Sequence, residues 1–350
     1  MANIRSDLTC WETVRKLIVI GWPESVPFNQ ARLQLDLPYH TAQEHLKQVG
    51  VEVSGEGLPL RVTEDSIEET RPGNISLEEL AEWERQQYEQ LDRYKQATKS
   101  IKHAVIPDVQ AKPGVNTDHL IHVGNYLAEK QPDVIVVIGD FADMESLSSY
   151  DRGKKSYEGR TYAADIGSAV EAMEKLMAPI ESKNALRKRN GLLPYKPRMV
   201  MTLGNHEERI LRAIEEDRKL EGTIGMKDLC YEKFGFEVYP FLEIVQIDGV
   251  LYSHYFTSGV MGRPVSSAAA LLRTMQQSAT MGHVQHTDIA IHPKTQQRTL
   301  FSGVCYSHDE KYLGPQGNNC RRQIIMKHEV KEGRYDLMEV SLAYLKKTYR

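Results

Sequence analysis

Cysteine is scarce in this chain and badly placed for pairing. The four present among 350 residues, Cys10, Cys230, Cys305 and Cys320, are widely scattered and form no CxxC. That spacing argues against a cysteine-built zinc site and against a disulfide scaffold. Long apolar runs are missing too: "VIVVIG" and its like fall far short of the ~20 residues a membrane-spanning helix needs. The opening "MANIRSDLTCWETVRK" carries charges where a secretory signal would be apolar, so a cytoplasmic protein with no membrane partner is expected. Nor does one sign of charge dominate. A formal net charge of -4 excludes a strongly basic nucleic-acid coat, though not a local basic groove. What remains is an ordinary globular composition, long enough for two domains rather than one.

Residues 1–75 read as a small, mainly helical domain. "NQARLQLDLPYHTAQEHLKQVG" holds two helical stretches around Leu37-Pro38, the second capped by Thr41 and closed by Gly50. With Ala42, Leu46 and Val49 on one apolar face this fits a helix-turn-helix, and "GVEVSG" and "LPLRVTE" would supply a wing. The region is charge-neutral, so a helical packing or assembly domain is the other reading. Residues 76–100 form a linker or docking helix, opened by a Ser76/Glu79 capping box.

From 101 to 350 the pattern is short strands, turns and helices. "HAVIPD" and "PDVIVVIGD" flank the helical "TDHLIHVGNYLAEK", which is βαβ logic. A helix over 161–178, the strand "RMVMTLGN" and the helix "EERILRAIEED" follow. Beyond 235 strands crowd together, which predicts a mixed α/β body with two packed sheets.

Polar residues recur where these strands end. Asp108 and Gln110 follow "AVIP"; Asp140 and Asp143 follow "VIVVIG"; Asn205 and His206 follow "VMTLG"; His254 follows "VLYS"; His283 and His286 lie in "MGHVQH". Strand ends in α/β folds are where binding loops converge. One such aspartate would be an ordinary turn former, but the repetition points to a metal site. Asp oxygens and His nitrogens suit Mn, Fe, Zn or Ni. The glycines before Asp140, Asn205 and His283 would allow sharp turns.

The stretches "DVQ", "GDFAD", "GNHE", "SHYF" and "GHVQH", in this order from 108 to 286, resemble the motif series of the calcineurin-like metallophosphoesterase superfamily. The resemblance implies a four-layer α/β/β/α sandwich and two divalent metal ions, Mn foremost, with Mg, Fe, Zn or Ni as alternatives. Asp140 would bridge the ions; Asn205, His254 and His283 would complete one, and Asp108 would belong to the other. His206 would act as general acid or electrostatic donor at the leaving oxygen, oriented by Asp143. Apart from the resemblance, Arg209, two residues beyond "GNHE", is read either as a phosphate contact or as a helix-surface residue pairing with a neighbouring glutamate. Two positions depart from the family pattern: Gln110 and Gln285 stand where it has histidines for the first metal. Either these amides ligate, or a bulged loop brings His286 inward, which is the preferred expectation.

The ester is less legible. Lys183, Arg187, Lys188, Arg189, Lys196 and Arg198 concentrate in "ESKNALRKRNGLLPYKPR", a basic insertion expected near the catalytic rim as a nucleic-acid contact or else as a solvated loop. With the helix-turn-helix pattern it favours a nuclease acting on DNA. The module arrangement also resembles bacteriophage-encoded phosphoesterases, which would place the chain in a host cytoplasm. The alternatives are a serine/threonine protein phosphatase, a small-molecule phosphoesterase, and a DNA-binding protein without catalysis.

Overall fold

The computed structural model describes residues 39–48, 51–53, 59–62, 100–151, 153–190, 192–310, 314, 318 and 320–349. The chain divides into two compact units, Met1–Thr98 and Lys99–Arg350. In the first, helix α1 (Tyr39–Gln48) precedes strands β1 (Val51–Val53) and β2 (Pro59–Val62), which pair antiparallel. These strands are the two pieces named above for a wing. Thr41 lies inside α1 rather than at its cap, while Ala42 and Leu46 are fully buried. The expected preceding helix and all but Ser100 of the 76–100 linker helix lie outside the described residues.

The second unit is mixed α/β and holds two mixed sheets. In chain order its elements begin with β3 (His103–Ile106), α2 (His119–Lys130), β4 (Val134–Val137), α3 (Tyr162–Arg189), β5 (Arg198–Thr202), α4 (Glu208–Glu216) and β6 (Glu237–Tyr239). There follow β7 (Val245–Ile247), β8 (Val250–Tyr252), the short hairpin β9 (Thr257–Ser258) and β10 (Arg263–Pro264), α5 (Ala268–Met275) and β11 (Ala279–Met281). The last are β12 (Thr287–Ile291), β13 (Arg298–Ser302), β14 (Gln323–Lys331), β15 (Arg334–Ser341) and α6 (Leu342–Thr348). One sheet runs β15-β14-β3-β4-β5-β6, parallel from β3 to β6; the other runs β12-β13-β11-β8-β7, parallel only across β13-β11-β8.

Strand alternation divides the core. Ala104, Ile106, Ile135, Val137 and Met201 cluster with Leu120, Val123, Met173 and Leu176 of α2 and α3. Their neighbours Val105, Val134, Val136 and Val200 cluster instead with Val245, Ile247, Val250 and Leu300 of the other sheet. Leu271 of α5 joins Met281 and Phe301. Strands covered on both faces read as continuous apolar runs, which is why "HAVI" and "VIVV" were legible.

Several elements differ from the sequence reading. Helix α3 continues through Pro179 to Arg189, so the first half of the expected basic insertion is helix. Pro179 packs against α2 at Gly124, where a Cβ would come within 2.9 Å of its ring. Helix α5, capped by Ser267, and the three-residue β11 were too short for a periodic signal. The last strand stops at Ser341, whose hydroxyl caps α6 by accepting from the Tyr344 amide.

Candidate metal centre

Because β3, β4 and β5 are parallel, their C-terminal ends share one edge of the sheet. Asp108, Asp140 and Asn205 follow those ends, and β8 brings His254 to the same place. The backbone is unusual there. Gln110, Asp140, His283 and Gln285 all take left-handed conformations, with φ between 48° and 66°. Non-glycine residues are strained in that region and hold it only where surrounding contacts demand it.

Of the glycines before Asp140, Asn205 and His283, Gly139 alone takes the left-handed turn expected of all three, at φ 88°. The others serve close approach instead. A Cβ on Gly204 would lie 2.1 Å from Asp140 Oδ1, and one on Gly282 would lie 2.4 Å from Asp108 Oδ1.

Asp140, His254 and His283 present ligand atoms all within 4.8 Å of one another, a group that can hold a metal ion. The imidazole chemistry agrees. His254 Nδ1 donates to the Ile138 carbonyl at 2.8 Å, which leaves Nε2 facing Asp140 Oδ2 at 3.2 Å and Asn205 Oδ1 at 3.1 Å. A ring nitrogen between two oxygen acceptors must either carry a second proton or share a cation with them, and a carbonyl on the far nitrogen is the usual orienting partner of a metal-bound histidine. Burial would lower the His254 pKa, but the Asp140 carboxylate lifts it to about 9. Burial would raise the Asp140 carboxyl, but the His206 and His254 rings outweigh it and hold it well below the usual range. His283, whose ring is tilted at 44° to Tyr255 with centroids 4.7 Å apart, is lowered to about 4 by burial and by the charge on His254.

Beside this group, His206 Nδ1 lies 2.9 Å from Asp143 Oδ1, and its Nε2 lies 3.7 Å from Asp140 Oδ2. Arg209 donates through Nη1 to the Asp143 carbonyl at 2.8 Å, with Nη2 3.2 Å from His206 Nε2. Burial opposes a charge on His206, but Asp140 and Asp143 raise its pKa.

The first-metal residues are arranged less simply. Asp108 is fully buried; Oδ1 accepts from the His283 amide at 3.1 Å, and Oδ2 has no hydrogen-bond partner. Burial pushes its carboxyl up to about 7 against the lowering by His254. Gln110 is likewise buried with neither amide atom hydrogen-bonded. Orphaned oxygens of this kind in a buried place fit a cation. Gln285 Oε1 accepts from Tyr306 at 3.3 Å. His286, the preferred expectation, is exposed: Nδ1 lies 3.0 Å from the Val284 carbonyl and the ring edges Phe301. Neither contact is with the Asp140–His254–His283 group.

Two residues went unnoticed in the sequence. Glu207, fully buried, accepts from the amides of Asp140, Gly204 and Ala142 at 2.9–3.0 Å and from the Tyr231 hydroxyl, tying the β4 and β5 loops together. Its place in "GNHE" was a signal. Lys112 has no local signal, since its partners lie 31 and 198 residues away.

The basic insertion is elsewhere. Lys102, Asp133 and Arg198 mark the N-terminal ends of β3, β4 and β5, and Tyr195 donates to the Pro132 carbonyl at 2.6 Å. Helix α3 starts near the site, where Asp165 accepts from the Ser146 amide, and its 28 residues, ~42 Å in all, end on Arg187, Lys188 and Arg189. Lys183 lies on its last turns, Lys196 lines a depression of about 920 Å³ at that far end, and Arg198 pairs with Glu237. These residues are therefore at the opposite end of the sheet from Asp140, not on its rim. The site opens instead onto a cavity of about 580 Å³ lined by Asn205, His283, Arg209, Arg212, Tyr150 and Tyr255. Among the described residues no helix is long and apolar enough to cross a membrane.

No family model matches the chain, and no curated protein matches it. One solved structure aligns over its whole length with 69% of this chain, at 13% identity and a TM-score of 0.34. A likeness of that size carries no argument about function.

Proposed function

We propose that this chain is a metal-dependent phosphoesterase, built as the four-layer α/β/β/α sandwich of the calcineurin-like kind. The observation that carries the reading is the meeting of Asp140, Asn205, His254 and His283 beside the His206–Asp143 pair. The three buried clusters support the layering. Asp140, Asn205, His254 and His283 would hold one divalent ion, and Asp140, Asp108 and the Gln110 amide another, with manganese the first choice. Such ions, when bound, supply positive charge for a phosphoryl group and for the attacking oxygen.

The chain's own residues do the rest. Asp143 accepts from His206 Nδ1–H and, with Asp140, favours the imidazolium, so that a second proton can be held at Nε2 for the leaving oxygen. Arg209, anchored on the Asp143 carbonyl, keeps Nη2 beside that nitrogen, where both can donate to one phosphate. Glu207 holds the two loops in register.

For substrate we favour a nucleic-acid phosphodiester. The support is the cavity, whose arginines suit phosphate and whose tyrosines suit bases, rather than the distant basic helix end. The test is purified protein with Mn, presented with single- and double-stranded DNA, RNA, a phosphopeptide and a nitrophenyl diester. Cleavage of nucleic acid and diester is expected. Hydrolysis of the phosphopeptide alone would replace the nuclease reading with a protein phosphatase, and binding of DNA without any hydrolysis would remove catalysis altogether.

A further inference from the structure

We propose that Lys112 is a positioning residue for His206, acting through Asp143; this rests on the phosphoesterase reading and deepens it. Lys112 stands on the loop after β3 and is 9% exposed. Its ammonium lies 2.9 Å from Asp143 Oδ2, 2.6 and 2.8 Å from the two Glu310 oxygens, and 3.4 Å from Glu145 Oε1. The other Asp143 oxygen, Oδ1, is the one on His206 Nδ1. A carboxylate held at one oxygen by an ammonium and at the other by an imidazole has neither rotation nor translation left to it. The plane of the His206 ring is therefore set, one step removed, by the lysine.

Glu310 keeps the lysine in place. It grips Nζ with both oxygens, accepts at Oε1 from His308 Nε2 at 2.7 Å, and donates its own amide to Asn318 Oδ1 at 2.7 Å. The same stretch of chain touches the site twice more: Cys305 donates to the Asp108 carbonyl at 2.8 Å, and Tyr306 to Gln285. A buried ion pair is a weak source of stability, because desolvation offsets most of its attraction. Three carboxylates gathered on one buried ammonium are better explained by what they hold still. The ion-pair partners of Lys112 are Asp143, Glu145 and Glu310, none of them in the Asp140–His254–His283 group, so its work falls on the acid and not on the metal.

The experiment compares Lys112→Met, His206→Asn and their combination on an alkyl phosphodiester with Mn, alongside spectra of the histidine ring nitrogens in protein carrying 15N-histidine. Lys112→Met should lower kcat roughly 10–100-fold, the usual size of an orienting partner's loss, and leave KM unchanged. In the His206→Asn background it should cost nothing more. The His206 Nδ1–H signal should shift or vanish in Lys112→Met. The double variant Lys112→Met/Glu310→Gln, which removes the facing charge as well, gives the same readings if the single one folds poorly. Equal losses in both backgrounds would overturn the proposal, as would an unchanged His206 signal. Should the wild type hydrolyse no phosphate ester, the phosphoesterase reading fails, and the ring signal alone still decides whether Lys112 positions His206.

Discussion

Asp143 Oδ1 and His206 Nδ1 lie 2.9 Å apart across 63 residues of chain, one after β4 and the other after β5. Their neighbours sharpen the pairing. Burial would raise the Asp143 carboxyl, but the His206 ring and the Lys112 ammonium hold it well below the usual range, so it faces the imidazole as an anion. An imidazole oriented this way suits proton donation to a leaving group.

His206→Asn should therefore lower turnover of an alkyl phosphodiester by roughly 10²–10⁴-fold. A nitrophenyl ester, whose leaving group needs little protonation, should lose much less. Steady-state kinetics on the two esters make the comparison, and equal losses would leave His206 with a positioning role only.

Gly204→Ala tests the close approach behind Asn205. The added methyl would stand 2.1 Å from Asp140 Oδ1 and 2.3 Å from the Asp140 amide, so the carboxylate must move. Mn affinity by calorimetry should fall while the thermal unfolding transition stays cooperative. Wild-type affinity in this variant would mean that the placement of Asp140 is not what the ion requires.

Arg212 and the end of α3 make opposite predictions. Arg212 lines the cavity and donates to the Asn205 carbonyl at 2.6 Å. Arg212→Ala should raise KM for an oligonucleotide substrate. Reversal of Arg187, Lys188 and Arg189 to Glu should leave short-oligonucleotide kinetics unchanged, since about 40 Å of helix separates them from the site. A raised KM in the triple variant and none in Arg212→Ala would restore the basic insertion as the substrate contact.

Lys327 gives a pH dependence that arises away from the site. Fully buried on β14, it touches Tyr252 and Thr280 hydroxyls at 3.1 and 2.5 Å and lies over the Tyr252 and Tyr335 rings; His103 reaches the same Tyr252 hydroxyl. Burial pushes its amine well below the ordinary lysine range. Between that lowered value and ~10.4 the unfolded chain binds a proton the folded chain does not, so stability rises with pH, by up to about 1.4 kcal/mol per unit. Chemical denaturation from pH 6 to 9 should show the wild type gaining on Lys327→Met. A flat difference would mean the folded chain keeps that ammonium charged.

The parts of this molecule that could be read in advance are those whose cause is local. Asp140 and Asn205 follow apolar strands by a fixed few residues, and parallel strands deliver such ends to one edge whatever the loops do. The exposed position of His286 could not be read from spacing, because the loop takes two left-handed residues, His283 and Gln285, which no spacing reports. The basic insertion was misplaced for a different reason: Pro179 looks like a helix end, and only packing against Gly124 shows why the helix runs on. Lys112 was invisible, since its value lies wholly in carboxylates from β4's loop and from residue 310.

The most direct test is Mn titration of the wild type and of Asp140→Asn by calorimetry, with turnover of a nitrophenyl phosphodiester measured on the same samples. Wild-type protein should bind about two ions per chain and hydrolyse the ester only when they are present. Asp140→Asn should lose at least one ion and most of the turnover, because an amide cannot neutralise what the carboxylate does. Wild-type metal binding and wild-type turnover in Asp140→Asn would contradict the account at its centre.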